Sequence, residues 1–291
     1  ASFVEARGHH GDRCRRQTST FGFSADVDRA EHAMRDQADS VRREWSDGVL
    51  IQTITHHLST SFFRGDLMKI EIFPDADAVA RKAAEIIAAE ARSVVAARGR
   101  FIMAVSGGHT PWQMLRALTN EKMPWESVHV VQVDERVAPP GDADRNLSHL
   151  RESLLEHAPL RSEQIHAMPV ESADLDAAAK RYNLTLREIA GSPPVLDLAH
   201  LGLGPDGHTA SLVPRDPVLE VTDVDVALTG VYQGRRRMTL TYPMLNRSRR
   251  VLWLVTGNDK VNALARLREG DTSIPGGRIQ RDQAVVLADQ A

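Results

Sequence analysis

The 291-residue chain contains a single cysteine, Cys14, so neither an internal disulfide nor a cysteine-based metal cluster is available to it. That scarcity favours a reducing compartment, and the expected location is cytoplasmic. No stretch approaches the run of about 18 apolar residues that a membrane span needs, so no membrane partner is expected. A basic excess is missing too: 36 Lys and Arg stand against 39 Asp and Glu, a net charge of -3, which argues against a nucleic-acid partner. Two signatures are absent, the GxxxxGK[ST] phosphate loop and the GxSxG nucleophile elbow, and the glycine pair ahead of His109-Thr110 is not a GxGxxG dinucleotide fingerprint. Nucleoside triphosphates and a serine nucleophile therefore rank low.

The first 66 residues lack lysine and show no obvious core. Their opening, ASFVEARGHHGDRCRR, carries charges where a secretory signal would be apolar. Val27, Ala30, Met34, Ala38 and Val41 fall at helical spacing. The expectation is a poorly ordered, flexible N-terminal extension over 1–67 with one weak helix. Met68, opening MKIEIF, is the alternative start of the protein. His9, His10 and Cys14 form a metal set only on paper, because a polar terminus fixes no geometry, and a solvated tail is expected.

From residue 68 the pattern alternates. KIEIF (69–73), FIMAV (101–105), VHVVQVD (128–134), residues 165–168, VLDLAHLGLG (195–204), VALTGVY (226–232), RMTLTY (237–242), VLWLVTG (251–257) and VVLA (285–288) read as strands. Helices are expected from a cap at Asp75, around Met114 to Leu118, over 146–156, over 174–190 and over 258–267. Length alone permits one large domain or two small ones. Strand, crossover helix and strand recur, which predicts an α/β fold with a mostly parallel sheet covered by helices on both faces. Ligands in such sheets collect at the carboxyl ends of the strands.

Polar loops leave from those ends. Ser106-Gly107-Gly108-His109-Thr110-Pro111 is either an anion cradle of free amides, with Thr110 as helix cap, or an ordinary strand-to-helix turn. Asp134-Glu135-Arg136 must be solvated, mutually paired or engaged by a ligand, with Arg136 able to fork onto phosphate or carboxylate and Asn146 downstream. Gly204-Pro205-Asp206-Gly207-His208-Thr209-Ala210-Ser211 presents a histidine proton carrier that Asp206 could orient. Thr209 and Ser211 read as caps. Thr256 to Lys260 adds free amides and an ammonium, and arginines at 235–237 and 247–250 read as a charged rim from which one could reach the pocket. Lone His200, inside an apolar strand, reads as a packed, hydrogen-bonded core residue.

Taken together, SGGHTP, VDERVAPPGDADRN, LDLAHLGLGPDGHTASLVP, RRMTLTYPMLN and VTGNDK resemble, in order and spacing, the motifs of the 6-phosphogluconolactonases, in the superfamily shared with glucosamine-6-phosphate deaminase. The resemblance runs from Met68 to Ala291 and implies a modified Rossmann-like sheet. It implies hydrolysis of 6-phospho-D-glucono-1,5-lactone, a phosphorylated sugar lactone, by a monomer or small homo-oligomer with no metal or organic cofactor. His208 would be the general base, with Asp206 and Asp134 as its catalytic neighbours. Arg136 and Lys260 would hold phosphate beside amides of Ser106, Gly107, Gly108, His109 and Thr110. Asn146, Gly204 and Gly207 would complete the site, and amides near Gly204 to His208 would meet the oxyanion. The chain departs from the pattern at His109, where the phosphate loop usually reads SGGST, at Val213, and at His200 in a usually aliphatic strand. Deamination of glucosamine 6-phosphate would call for DE-Tyr and an acidic residue after the histidine loop, where this chain has DER and SLVP. A sugar-phosphate sensor that has lost its chemistry is the reading from another class, against which His208 argues.

Overall fold

The computed structural model describes residues 68–290, and the expected extension over 1–67 lies outside them. Seven strands form one sheet: β1 (Lys69–Phe73), β2 (Phe101–Val105), β3 (Val128–Gln132), β5 (Ile165–His166), β6 (Leu198–Gly202), β9 (Val251–Val255) and β10 (Ala284–Asp289). Their order is β1-β10-β9-β6-β2-β3-β5 and every pairing is parallel. A parallel sheet is buried on both faces, and the residues of β2 divide accordingly. Phe101, Met103 and Val105 point into a core with α1 (Ala76–Arg98) and α2 (His109–Leu118), whereas Ile102 and Ala104 face the core of α4 (Leu175–Ala190) and α6 (Val261–Glu269).

α1 starts because the Asp75 carboxylate accepts the Ala78 N–H at 2.7 Å, and it stops at Gly99, which is left-handed with φ 77. Ala80, Ala83, Ala84, Ala88 and Ala91 form much of its buried face, small enough to bring the helix axis close to the sheet. Among the described residues, no helix is long and apolar enough to cross a membrane.

Three details depart from the sequence reading. The segment 134–136 is not a loop but a strand, β4 (Asp134–Arg136), and the expected strands at 226–232 and 237–242 are shorter pieces, β7 (Val226–Leu228) and β8 (Arg237–Leu240). These three form a separate antiparallel sheet in the order β4-β8-β7. The chain changes sheets at Val133, whose N–H donates to Val105 O at 3.0 Å while its carbonyl accepts from Leu240 N at 2.8 Å. The helix expected over 146–156 is α3 (Asn146–Leu150), which widens into a π turn over Arg151–Leu155. YPMLN makes a further short helix, α5 (Tyr242–Asn246).

The winding reverses between β2 and β6. From β2 the chain proceeds outward to β3 and β5, and from β6 it proceeds the other way to β9 and β10. The loops after β2 and β6 diverge there and leave a crevice at the carboxyl ends of the strands.

Candidate active site

That crevice holds a cavity of about 360 Å³, open to solvent. Ser106 to Pro111, Asp134, Arg136, Asn146, Gly204, His208 and Lys260 line it, so the structure brings together nearly all the side chains singled out from the sequence. Asp206 and Gly207 are the two that do not line it. Asp206 lies behind His208, and Gly207 packs against Ile274 and accepts the Gly276 N–H at 2.8 Å.

His208 is held by its own loop. Its Nδ1 lies 2.6 Å from Asp206 Oδ1, and its backbone N–H donates to the same oxygen at 3.1 Å. An ionised carboxylate at Nδ1 requires the proton there, which leaves Nε2 with its lone pair. Partial burial by itself raises the Asp206 carboxyl, but the His208 hydrogen bonds outweigh it and hold the group below its ordinary value. Asp206 therefore remains an acceptor. The imidazole fits because Gly204 lies under it: a Cβ at that position would sit 2.1 Å from His208 Nδ1.

Three amides of the same loop are already taken. Gly204 N–H donates to His208 O at 2.8 Å, Gly207 N–H to Gly204 O at 2.9 Å, and His208 N–H is taken by Asp206. Of the candidates for meeting an oxyanion between Gly204 and His208, these three amides each already have an acceptor.

The loop after β2 behaves in the opposite way. Among the described residues, the N–H groups of Gly107, Gly108, His109 and Thr110 donate to no protein acceptor, and no side chain caps α2. Four amides and the positive end of a ten-residue helix thus face the cavity, an arrangement suited to an anion. Two expectations change here. Ser106 N–H is unavailable because it donates to His200 Nδ1 at 3.2 Å, and Ser106 Oγ donates to the His200 carbonyl at 2.9 Å. Thr110 is not the cap; it lies within the helix, and its hydroxyl meets Thr256 Oγ1 at 2.7 Å. His200 is wholly buried, and desolvation lowers it to about 3, so it is a neutral acceptor as well as the packed core residue expected. Its Nε2 has no partner.

The acidic-basic triplet separates into three tasks. Asp134 Oδ2 accepts from Ser211 Oγ at 2.5 Å, and Asn146 Nδ2 donates to the Asp134 carbonyl at 3.0 Å. Ser211 is thereby a tie between loops rather than a cap. Glu135, fully buried, accepts the N–H groups of Asn146 and Leu147, both at 2.8 Å, and pairs with Arg145 Nε at 3.2 Å. It closes the start of α3 and shares the buried Arg145 with Glu171, whose carboxylate lies 2.9 Å from Nη1. Arg136 reaches the cavity, donating Nη1 to Asp144 O at 2.7 Å. Asn146 also sets the anion loop, because a Cβ on Gly107 would sit 1.9 Å from its Oδ1.

Sequence reasoning left one cavity arginine unassigned. Arg237 stands directly across the ladder from Arg136, buried and lining the same cavity. Each has a buried Nε without a partner. Burial first, then the positive charge of Arg136, lowers the Arg237 guanidinium below its ordinary value. The signal was the basic run ending in a β-patterned segment, but only the register of β4 on β8 shows which arginine points inward. From 256–260, Gly257 N–H is taken by Asp289 and Lys260 N–H by Gly257 O, so Lys260 and Thr256 line the cavity through their side chains. Lys260 Nζ lies 2.7 Å from Asp259.

Two arginines, a lysine and an uncapped helix end stand around one cavity, an arrangement suited to an anion, with an oriented imidazole at its wall. Comparisons with known proteins agree with that chemistry. Residues 74–287 match the family described as glucosamine-6-phosphate isomerases/6-phosphogluconolactonase. The chain is 38% identical over 235 residues to the 6-phosphogluconolactonase of Mycobacterium tuberculosis, covering 76% of this chain and 95% of that one. It is 39% identical over 167 residues to the 6-phosphogluconolactonase of Synechocystis, covering 56% and 69%. The crystal structure of 6-phosphogluconolactonase from Thermotoga maritima superposes with a TM-score of 0.68 at 28% identity, over 76% of this chain and 98% of that one. A monomeric glucosamine-6-phosphate deaminase superposes with a TM-score of 0.67 at 18% identity, over 77% and 98%, a likeness of fold alone. The chain belongs to the glucosamine-6-phosphate isomerase/6-phosphogluconolactonase family, on its lactonase side.

Proposed function

We propose that the protein hydrolyses 6-phospho-D-glucono-1,5-lactone to 6-phosphogluconate. The observation that carries the reading is the pairing, in one cavity, of an Asp206-oriented imidazole with a separate cluster of anion-binding groups. The phosphate is held by Arg136, Lys260 and the amides of Gly107 to Thr110, which fixes the sugar and places the lactone carbonyl at His208. His208 Nε2 takes a proton from water as the oxygen attacks the carbonyl carbon, and Asp206 steadies the imidazolium that forms. The tetrahedral intermediate collapses with cleavage of the bond to the ring oxygen, which receives the proton from His208. Since the amides of Gly204, Gly207 and His208 are already paired, Arg237 supplies the positive charge that meets the developing oxyanion. Asp134, tied to Ser211 and Asn146, positions the second sheet against the site and takes no proton. We place the activity in residues 68–291, so that a protein starting at Met68 unfolds cooperatively and keeps its turnover.

The experiment is turnover of freshly generated 6-phosphogluconolactone, corrected for spontaneous hydrolysis, run beside an assay for ammonia release from glucosamine 6-phosphate. Turnover of the first and none of the second is expected. Ammonia release without lactone hydrolysis would overturn the assignment, and tight binding of 6-phosphogluconate without turnover of either would identify a sensor.

A further inference from the structure

Tyr232 has no part in the chemistry described so far, yet it touches both charged ends of it. It lies in the connection between β7 and β8, where Tyr232 and Arg235 pair across a tight turn through Gln233 (φ 51) and Gly234 (φ 78). Its ring meets the His208 ring edge-on, with centroids 5.6 Å apart and planes at 64°. The Arg237 guanidinium lies over the same ring, 5.0 Å from its centroid. The turn that carries it is itself latched to the neighbouring loop, because Arg235 pairs with Asp142 at 3.1 Å and Asp144 at 2.9 Å.

We infer that Tyr232 is a positioning residue that steadies the His208 ring and keeps Arg237 turned toward the cavity. An aromatic face attracts a guanidinium, and its edge packs favourably against a second ring, so one side chain sets the separation of two others. The contacts that carry this are those of the ring, its edge on His208 and its face under Arg237. Burial first, and the nearby Asp206 carboxylate second, push the phenol above its ordinary value, so it remains neutral beside the carboxylate. Tyr232 does not line the cavity, which separates its role from substrate contact.

This inference rests on the lactonase reading, and Tyr232→Phe, Tyr232→Leu and Tyr232→Ala test it alongside His208→Gln. Tyr232→Leu keeps apolar bulk but has no ring, and its kcat is expected to fall about fivefold to tenfold, the scale of losing an aromatic pair and a cation–π contact. Tyr232→Phe is expected to recover most of that loss, and the melting temperature of all three variants should stay within a few degrees of the parent. KM for the phosphorylated lactone should change less than kcat, because the phosphate is held elsewhere. Parental kcat in Tyr232→Leu overturns the inference. So does equal loss in Tyr232→Phe and Tyr232→Leu, which would place the effect in the hydroxyl, or a loss that follows melting temperature, which would make it structural. If instead His208→Gln is as active as the parent, it is the lactonase mechanism that fails.

Discussion

Two glycine-rich loops leave neighbouring parallel strands at the same end of the sheet, and they do opposite things. In the loop after β6, the amides of Gly204, Gly207 and His208 are turned inward and satisfied, so the loop is a rigid mount that presents one imidazole. In the loop after β2, the amides from Gly107 to Thr110 are turned outward and unsatisfied, and the loop presents charge-binding backbone. Both contain a close approach that only glycine permits, but against different partners: Gly204 under the His208 ring, Gly107 against Asn146. Glycine content therefore says that a loop is tightly built. Which way its N–H groups point says what it does.

If the first loop serves proton transfer and the second serves anion binding, substitutions in each should separate kcat from KM. The largest effect is expected at His208. Replacement by Gln keeps size and polarity without comparable basicity, so turnover should fall about 100-fold or more while the protein stays folded and still binds 6-phosphogluconate. Calorimetric binding of that product beside corrected turnover checks it, and near-normal turnover would falsify the base assignment.

Gly204→Ala is expected to come next. Its methyl would have to displace the ring from Asp206, and a shift near 1 Å in a catalytic group can cost about 100-fold in rate. Gly107→Ala, the matched change in the other loop, should instead raise KM for the phosphorylated lactone and leave turnover of unphosphorylated gluconolactone alone. Steady-state kinetics of the pair on both substrates decides whether the comparison holds; identical kinetic signatures would dissolve it.

The two arginines across the ladder allow a finer division. Arg136→Ala should weaken the phosphorylated substrate selectively, and Arg136→Lys should recover only part, because the planar fork is gone. Arg237→Ala should lower kcat on phosphorylated and unphosphorylated lactones alike, as expected of a group that meets the reacting carbonyl. Exchange of those two patterns would exchange the roles assigned to them.

The smallest effect concerns His200, the buried anchor of the anion loop. Its folded value of about 3 lies below the ordinary 6.5, so at intermediate pH the unfolded chain binds more protons than the folded one. Stability from this group is complete above about 6.5 and is lost as pH falls toward 3. The melting temperature should decline through that window, and less steeply in His200→Leu. That variant also leaves Ser106 N–H without its acceptor, so a modest rise in KM for the phosphorylated lactone should accompany the flatter profile.

Much of the fold was legible because it rests on local periodicity. The apolar runs FIMAV and VLWLV can only be buried on both faces, and Asp75 and Gly99 mark the limits of α1. The second sheet was not legible. Asp134-Glu135-Arg136 is three residues long with no hydrophobic pattern, and it is a strand only because Val133 passes the chain from one sheet to another and β8 lies waiting beside it. Histidines were harder still. His208 and His200 lie eight positions apart on the same strand and loop; one faces the cavity beside a carboxylate, while the other is enclosed and holds a loop amide.

The sequence by itself determined which residue types stand at the carboxyl ends of the strands, and with them the family, because backbone periodicity and loop chemistry are local. The tertiary structure alone decided which of those groups remain free to act. Glu135 is consumed by Arg145 and the start of α3, Asp134 ties Ser211 while still lining the cavity, and Ser106 N–H is taken by His200, through partners up to 94 positions away in the chain. A hydrogen bond satisfies a donor wherever its acceptor comes from, and three-dimensional packing, not neighbourhood in sequence, brings the acceptor there.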